Sequence, residues 1–136
     1  MYDSVIDQAE SFFVRGYTCC ESVSMAVIQH YLEFQPDCFP CIAAGFGGGI
    51  GGTHDEVCGA LAGGVMAIGC VLGKTGKSAG IKPGCAALRH MFDNEFYTTN
   101  CGKLLAEYKE SHCVQFVRFA AEASIRILYE YSKKAG

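Results

Sequence analysis

Apolar residues at Val5, Ile6, Ala9, Phe12 and Phe13 recur at helical spacing between Ser4 and Val14, and Gly16 follows where such a helix stops. A second start is written at Thr18-Cys19-Cys20-Glu21. There the Thr18 hydroxyl can accept from the amide three residues on while Glu21 reaches back, a capping box. The helix it opens at Cys19 carries Val23, Ala26, Val27 and Tyr31 on its buried face. Pro36 and Pro40 then break the chain around Asp37-Cys38-Phe39-Pro40-Cys41, which predicts a turn and a short helix to Ala44. Thr53-His54-Asp55-Glu56 repeats the capping-box pattern after the glycine-rich stretch Gly45 to Gly52. The central helix is therefore expected to begin there, with Cys58 in its first turn.

The central helix is built of small residues: Gly59, Ala60, Ala62, Gly63, Gly64, Ala67 and Gly69. Each helical Gly costs about 1 kcal/mol relative to Ala, so such a run implies close approach of neighbouring backbones. A polar loop from Lys74 to Gly80 leads to a helix beginning near Pro83, with Cys85, Leu88, Met91, Phe92 and Phe96 on one face. Asn100-Cys101-Gly102 reads as a break before a short amphipathic segment with Leu104, Leu105 and Tyr108. The last helix, Cys113 to Lys133, buries Val114, Val117, Ala121, Ile125 and Leu128. Its Arg118, Glu122, Arg126, Glu130 and Lys134 alternate in sign four residues apart and read as a solvated face. No alternating strand pattern, internal repeat or linker is visible. The expectation is an all-α bundle of five or six helices in one domain spanning 1–136.

Composition narrows the function classes. With 136 residues, 50% hydrophobic and 18% charged, the chain is too apolar to stay disordered. A net charge of -3 without a Lys/Arg run gives neither a nucleic-acid footprint nor a membrane-surface signature. The uncharged run Val57 to Gly73 is 17 residues with five Gly and reads as a core helix, since a bilayer span wants about 20 apolar residues. Met1-Tyr2-Asp3-Ser4 lacks a basic region followed by an apolar core, so no secretory signal and a cytoplasmic location are expected.

Two glycine motifs fail on context. Gly47 to Gly52 fits G-x-G-x-x-G but has no preceding strand, and Gly73-Lys74-Thr75-Gly76-Lys77-Ser78 lacks the leading Gly of a phosphate loop at Ile68 or Val71. No nucleotide is expected. His30, His54, His90 and His112 are individually weak as ligands.

The nine Cys stand out. An odd number in a chain without an export signal argues against a disulfide framework and for metal or redox chemistry, with several thiols serving only as small buried hydrophobes. Cys38-Phe39-Pro40-Cys41 is a C-x-x-C pair open to a disulfide, a reactive thiol or metal ligation. Cys19, Cys58 and Cys113 fall at predicted helix starts, where free amides and about half a positive charge favour a thiolate. Cys101 lies in the Asn-Cys-Gly break.

Cys58-Gly59-Ala60-Leu61-Ala62-Gly63, with Cys19 before it and Cys101 and Cys113 after it, resembles the C_GCAxxG_C_C family of small bacterial and archaeal redox-active proteins. The lead-in Phe46-Gly47-Gly48-Gly49-Ile50-Gly51 is similar as well. The resemblance implies that Cys19, Cys58, Cys101 and Cys113 are the characteristic four, with the adjacent Cys20 competing with Cys19 for the early position. The family is also similar to the non-haem part of split-Soret cytochromes, which implies an iron-sulfur cluster; without a C-x-x-C-H, no haem is expected. Four thiolates complete a 2Fe-2S or 4Fe-4S cluster and equally satisfy tetrahedral zinc. Three readings follow: a cluster protein for electron transfer or redox sensing, a thiol-disulfide oxidoreductase or dithiol sensor with Cys38 and Cys41 as further candidates, and a zinc-stabilised interaction module. Gly59, Ala60 and Gly63 would let the helices close on the site. A redox partner protein and a homodimer through the small-residue helix are compatible with this sequence, and neither is specified by it.

Overall fold

Apolar periodicity sets the helices, and the small residues decide what packs against what. The structure, a computed structural model, describes residues 2–33 and 37–133. Pro36 of the expected turn and Lys134 of the charged stripe lie outside the described residues. The described residues form α1 (Asp3–Val14), α2 (Cys19–Tyr31), α3 (Phe39–Ala44), α4 (Gly59–Lys74), α5 (Ile81–Phe96), α6 (Cys101–Tyr108) and α7 (Cys113–Lys133), with 3-10 turns at 78–80 and 110–112. The all-α class is as expected. The count reaches seven because both short segments, α3 and α6, complete their helical turns.

The small-residue helix α4 packs on α2, α7 and α5, while α1 covers α2 and α7 from the other side. The approach is close enough that a Cβ on Gly63 would stand 2.5 Å from the Cys20 carbonyl oxygen. One on Gly64 would stand 2.6 Å from both Leu88 Cδ2 and Ser124 Oγ. Below this level Leu88, Phe92, Val117 and Ile125 are fully buried. Phe96 and Phe116 meet edge to face at 4.8 Å between centroids, joining α5 to α7. No helix among the described residues is long and apolar enough to cross a membrane.

Several local expectations change. The Thr18 box forms, its hydroxyl accepting from Glu21 N at 3.2 Å and Glu21 Oε1 from Thr18 N at 2.9 Å. The Thr53 box does not, because that hydroxyl donates to the carbonyls of Gly49 and Ile50 at 2.9 and 2.8 Å. α4 starts later as a result, and Cys58 is its N-cap rather than a first-turn residue. Tyr31 and Val114 are only half-buried. Nor is Arg118 simply solvated: its Nη1 reaches Glu10 Oε2 at 2.8 Å and Asp7 Oδ1 at 3.2 Å, tying α7 to α1.

Gly69 and Gly73 differ from the other glycines of α4, since a Cβ there meets only Ile81 at 3.9 and 4.0 Å. Gly69→Ala and Gly73→Ala are each expected to stabilise the chain by up to about 1 kcal/mol. Urea titration of the two variants checks this, and a loss of stability would show that α4 needs those glycines for more than its helix.

Candidate functional site

All four cysteines of the signature pattern line one cavity of 230 Å³, together with Phe13, Leu104 and Phe116. Each comes from a helix start. Cys19 is the first residue of α2, Cys58 caps α4, Cys101 is the first residue of α6 and Cys113 the first of α7. The Asn-Cys-Gly segment is thus a helix start and not a break, with Asn100 Oδ1 accepting from Lys103 N at 3.0 Å as its cap.

Cys58 and Cys101 are brought together by backbone pairing. Val57 and Asn100 form an isolated antiparallel bridge, with Cys58 N donating to Thr99 O and Cys101 N to Glu56 O, both at 2.8 Å. Asn100 Nδ2 adds a bond to Asp55 O at 2.9 Å, so the residue that caps α6 also anchors it to the approach to α4. Cys19 arrives by close packing: a Cβ on Gly59 would collide with Cys19 Sγ and stand 3.0 Å from the Phe46 carbonyl oxygen.

One wall of the cavity is the glycine-rich turn. Gly48, Gly49, Ile50, Gly51 and Gly52 all have φ between 62° and 72°, and His54 follows at 64°. Five consecutive residues on the left-handed side are tolerable mainly because four lack a side chain. A Cβ on Gly49 would stand 2.7 Å from Cys101 Cβ and 2.9 Å from His54 Cα, so the turn lies directly against the Cys101 side of the site.

The other thiols are elsewhere. Cys20 is fully buried, its Sγ 3.5 Å from Met66 Sδ, among Ala43 and Ala62. Thus Cys19, and not its neighbour, lines the cavity. Cys38, just before α3, and Cys41, on it, are exposed, and Cys70 and Cys85 are half-buried along α4 and α5. His54, weak as a ligand on sequence alone, and Glu110, which nothing in the sequence singled out, also line the cavity. For His54 a signal existed in its place two residues after the glycine run, read instead as part of a capping box. Among the described residues, no three His, Cys, Asp or Glu side chains are placed to hold a metal ion.

Burial overrides the helix-start effect on the thiols. Desolvation, then the neighbouring Cys19, push Cys58 up to about 12, against the opposing pull of the Leu61 and Ala60 amides. Cys113 is pushed up to about 11 by desolvation, then by Cys19 and Cys101. Cys101 is raised by desolvation and then by Cys19. For Cys58 and Cys113 the expectation of ready thiolates therefore gives way to neutral thiols in the metal-free chain. From the ordinary thiol value of 9.0 upward, an unfolded chain sheds protons that folded Cys58 keeps until about 12. Stability of the reduced, metal-free protein should accordingly be level up to about pH 8.5 and fall as pH rises beyond, by several kcal/mol near pH 11. Anaerobic urea midpoints across that range test it; a flat profile would contradict the burial of these thiols.

Residues 17–127 match the family model described as Putative redox-active protein (C_GCAxxG_C_C). No curated protein and no solved structure matches the chain.

Proposed function

The chain belongs to the C_GCAxxG_C_C family of redox-active proteins, and from that premise we propose that Cys19, Cys58, Cys101 and Cys113 hold an iron-sulfur cluster in their shared cavity. The observation that carries this reading is the convergence of four thiols, from four helix starts, on one cavity. A cluster would present its irons to these thiolates, one sulfur to each ligand position.

The charge balance supports the same reading. None of the residues lining the cavity is Lys or Arg. Four thiolates here would face no Lys or Arg in the lining, so a bound cationic core would offset their charge. A bound cluster would supply reversible one-electron chemistry. The protein's own part is to fix the four sulfurs, offer Cys58 the Leu61 and Ala60 amides and line the site with Phe13, Leu104 and Phe116. Donors near sulfur and an apolar lining are the levers by which a protein sets a cluster's potential. The role that follows is carriage of single electrons or sensing of redox state with a partner protein.

Anaerobic purification with assays of iron, acid-labile sulfide and zinc, and a visible spectrum, tests the reading. A brown protein with iron and sulfide in equal amounts is expected. A colourless chain that takes up neither after reconstitution would end it.

A further inference from the structure

We propose that Cys38 and Cys41 are a second redox site, a dithiol that exchanges with disulfides in solution. This goes beyond the cluster reading and does not depend on it.

Of the nine cysteines, Cys38 and Cys41 alone are exposed; Cys20, Cys58 and Cys101 are buried and the other four half-buried. Disulfide exchange needs a sulfur that an incoming disulfide can reach in line, so access singles out this pair. Geometry then favours closure. Cys38 has helical backbone angles, φ -78° and ψ -8°, and Ile42 N donates to its carbonyl at 3.1 Å, so residues 38 and 41 sit one above the other on a single turn. Side chains three apart in such a turn have Cβ atoms about 5–6 Å apart, and a disulfide wants them near 4 Å. Cys38 lies just outside α3, where a small rotation of its backbone closes the gap. Between the two thiols Phe39 is half-buried and packs on the cluster of Cys20, Ala43 and Ala62, which holds the turn while the sulfurs react.

The step balances without any other reactant. One thiolate of the pair attacks a sulfur of an external disulfide RSSR; that S–S bond breaks, and RS⁻ leaves and takes up the proton the thiol released. The second thiol loses its proton and attacks the mixed disulfide, forming the Cys38–Cys41 bond and expelling a second RSH. Two thiols are oxidised and one RSSR is reduced to two RSH. The two-electron site lies on a segment that also reaches the cavity, since Phe39 rests on Cys20, next to Cys19, and the chain runs on from α3 into the wall at Gly48.

The test uses the full chain in buffers of oxidised and reduced glutathione, quenched in acid, alkylated and mapped by mass spectrometry. Wild type should lose the mass of two hydrogens and two alkylatable thiols, both at Cys38 and Cys41. Cys41→Ser should stop with one glutathione on Cys38, and Cys38→Ser/Cys41→Ser should form no disulfide while keeping the helical circular dichroism of wild type. Equal disulfide formation by the double variant, or a bond mapped to other cysteines, would overturn the proposal. Iron and sulfide read on the same samples separate the two sites. A colourless chain that still forms this disulfide removes the cluster and keeps the dithiol, and an iron-loaded chain whose Cys38 and Cys41 stay alkylatable does the reverse.

Discussion

Gly63→Ala should destabilise the chain by about 3 kcal/mol and lower its melting temperature by roughly 10 °C, unlike a methyl added at Gly69 or Gly73 of the same helix. The added Cβ would lie 2.5 Å from the Cys20 carbonyl oxygen and 3.1 Å from Val23 Cβ. The nearest obstacle is backbone, held in the first turn of α2 by its own capping box, so it cannot rotate away as a side chain would. Against this stands a helix-propensity gain of about 1 kcal/mol, which is too small to offset it. Thermal melts beside Gly73→Ala give the comparison, because that position has open space. A melting temperature equal to or above wild type would mean that α2 and α4 are farther apart than described. The spacing of the signature C-G-A-x-x-G acquires a physical sense here: Gly59 clears Cys19 Sγ and Gly63, one turn on, clears the Cys20 backbone.

The second large effect concerns the thiols. Cys58→Ser, Cys101→Ser and Cys113→Ser should each weaken cluster binding by more than about 100-fold, because losing even an outer-sphere partner of a metal ligand costs about 10–100-fold. Cys70→Ser should leave loading unchanged, since Cys70 does not line the cavity. Iron and sulfide per chain after reconstitution with limiting iron give the readout. Full loading in all three variants would mean that these cysteines do not hold the group. Serine at Cys58 stays close in volume and can cap α4, so a loss of loading with retained helicity separates ligation from folding.

Features written in a few neighbouring residues were legible from sequence. α7 runs from Cys113 to Lys133 as the periodicity of its apolar residues implies, and the Thr18–Glu21 box is formed because both partners lie within one turn. Features that depend on distant residues were not. Thr53 carries the same local pattern as Thr18, yet the left-handed turn before it offers the Gly49 and Ile50 carbonyls, and the hydroxyl goes there. The Val57–Asn100 pairing is two backbone hydrogen bonds between segments 43 residues apart, too short to leave an alternation in either. Without that pairing Cys101 looks like part of a break. With it, Cys101 starts a helix facing Cys58. Arg118 shows the same limit, since its i, i+4 spacing says nothing of Asp7 and Glu10 on another helix.

The mirror-handed turn at 48–52 has a consequence for how the chain tolerates change. Exposed positions are ordinarily the permissive ones, with substitutions worth less than about 0.5 kcal/mol. Gly51 and Gly52 are exposed and a Cβ on either would touch nothing, yet their φ of 62° and 72° makes each side chain cost about 1–2 kcal/mol. In a saturation scan these two surface positions should therefore score as restrictive as core positions, and Ile50, at φ 68°, should improve on replacement by glycine or asparagine. Over this stretch backbone handedness, and not burial, sets which sequences the protein can accept.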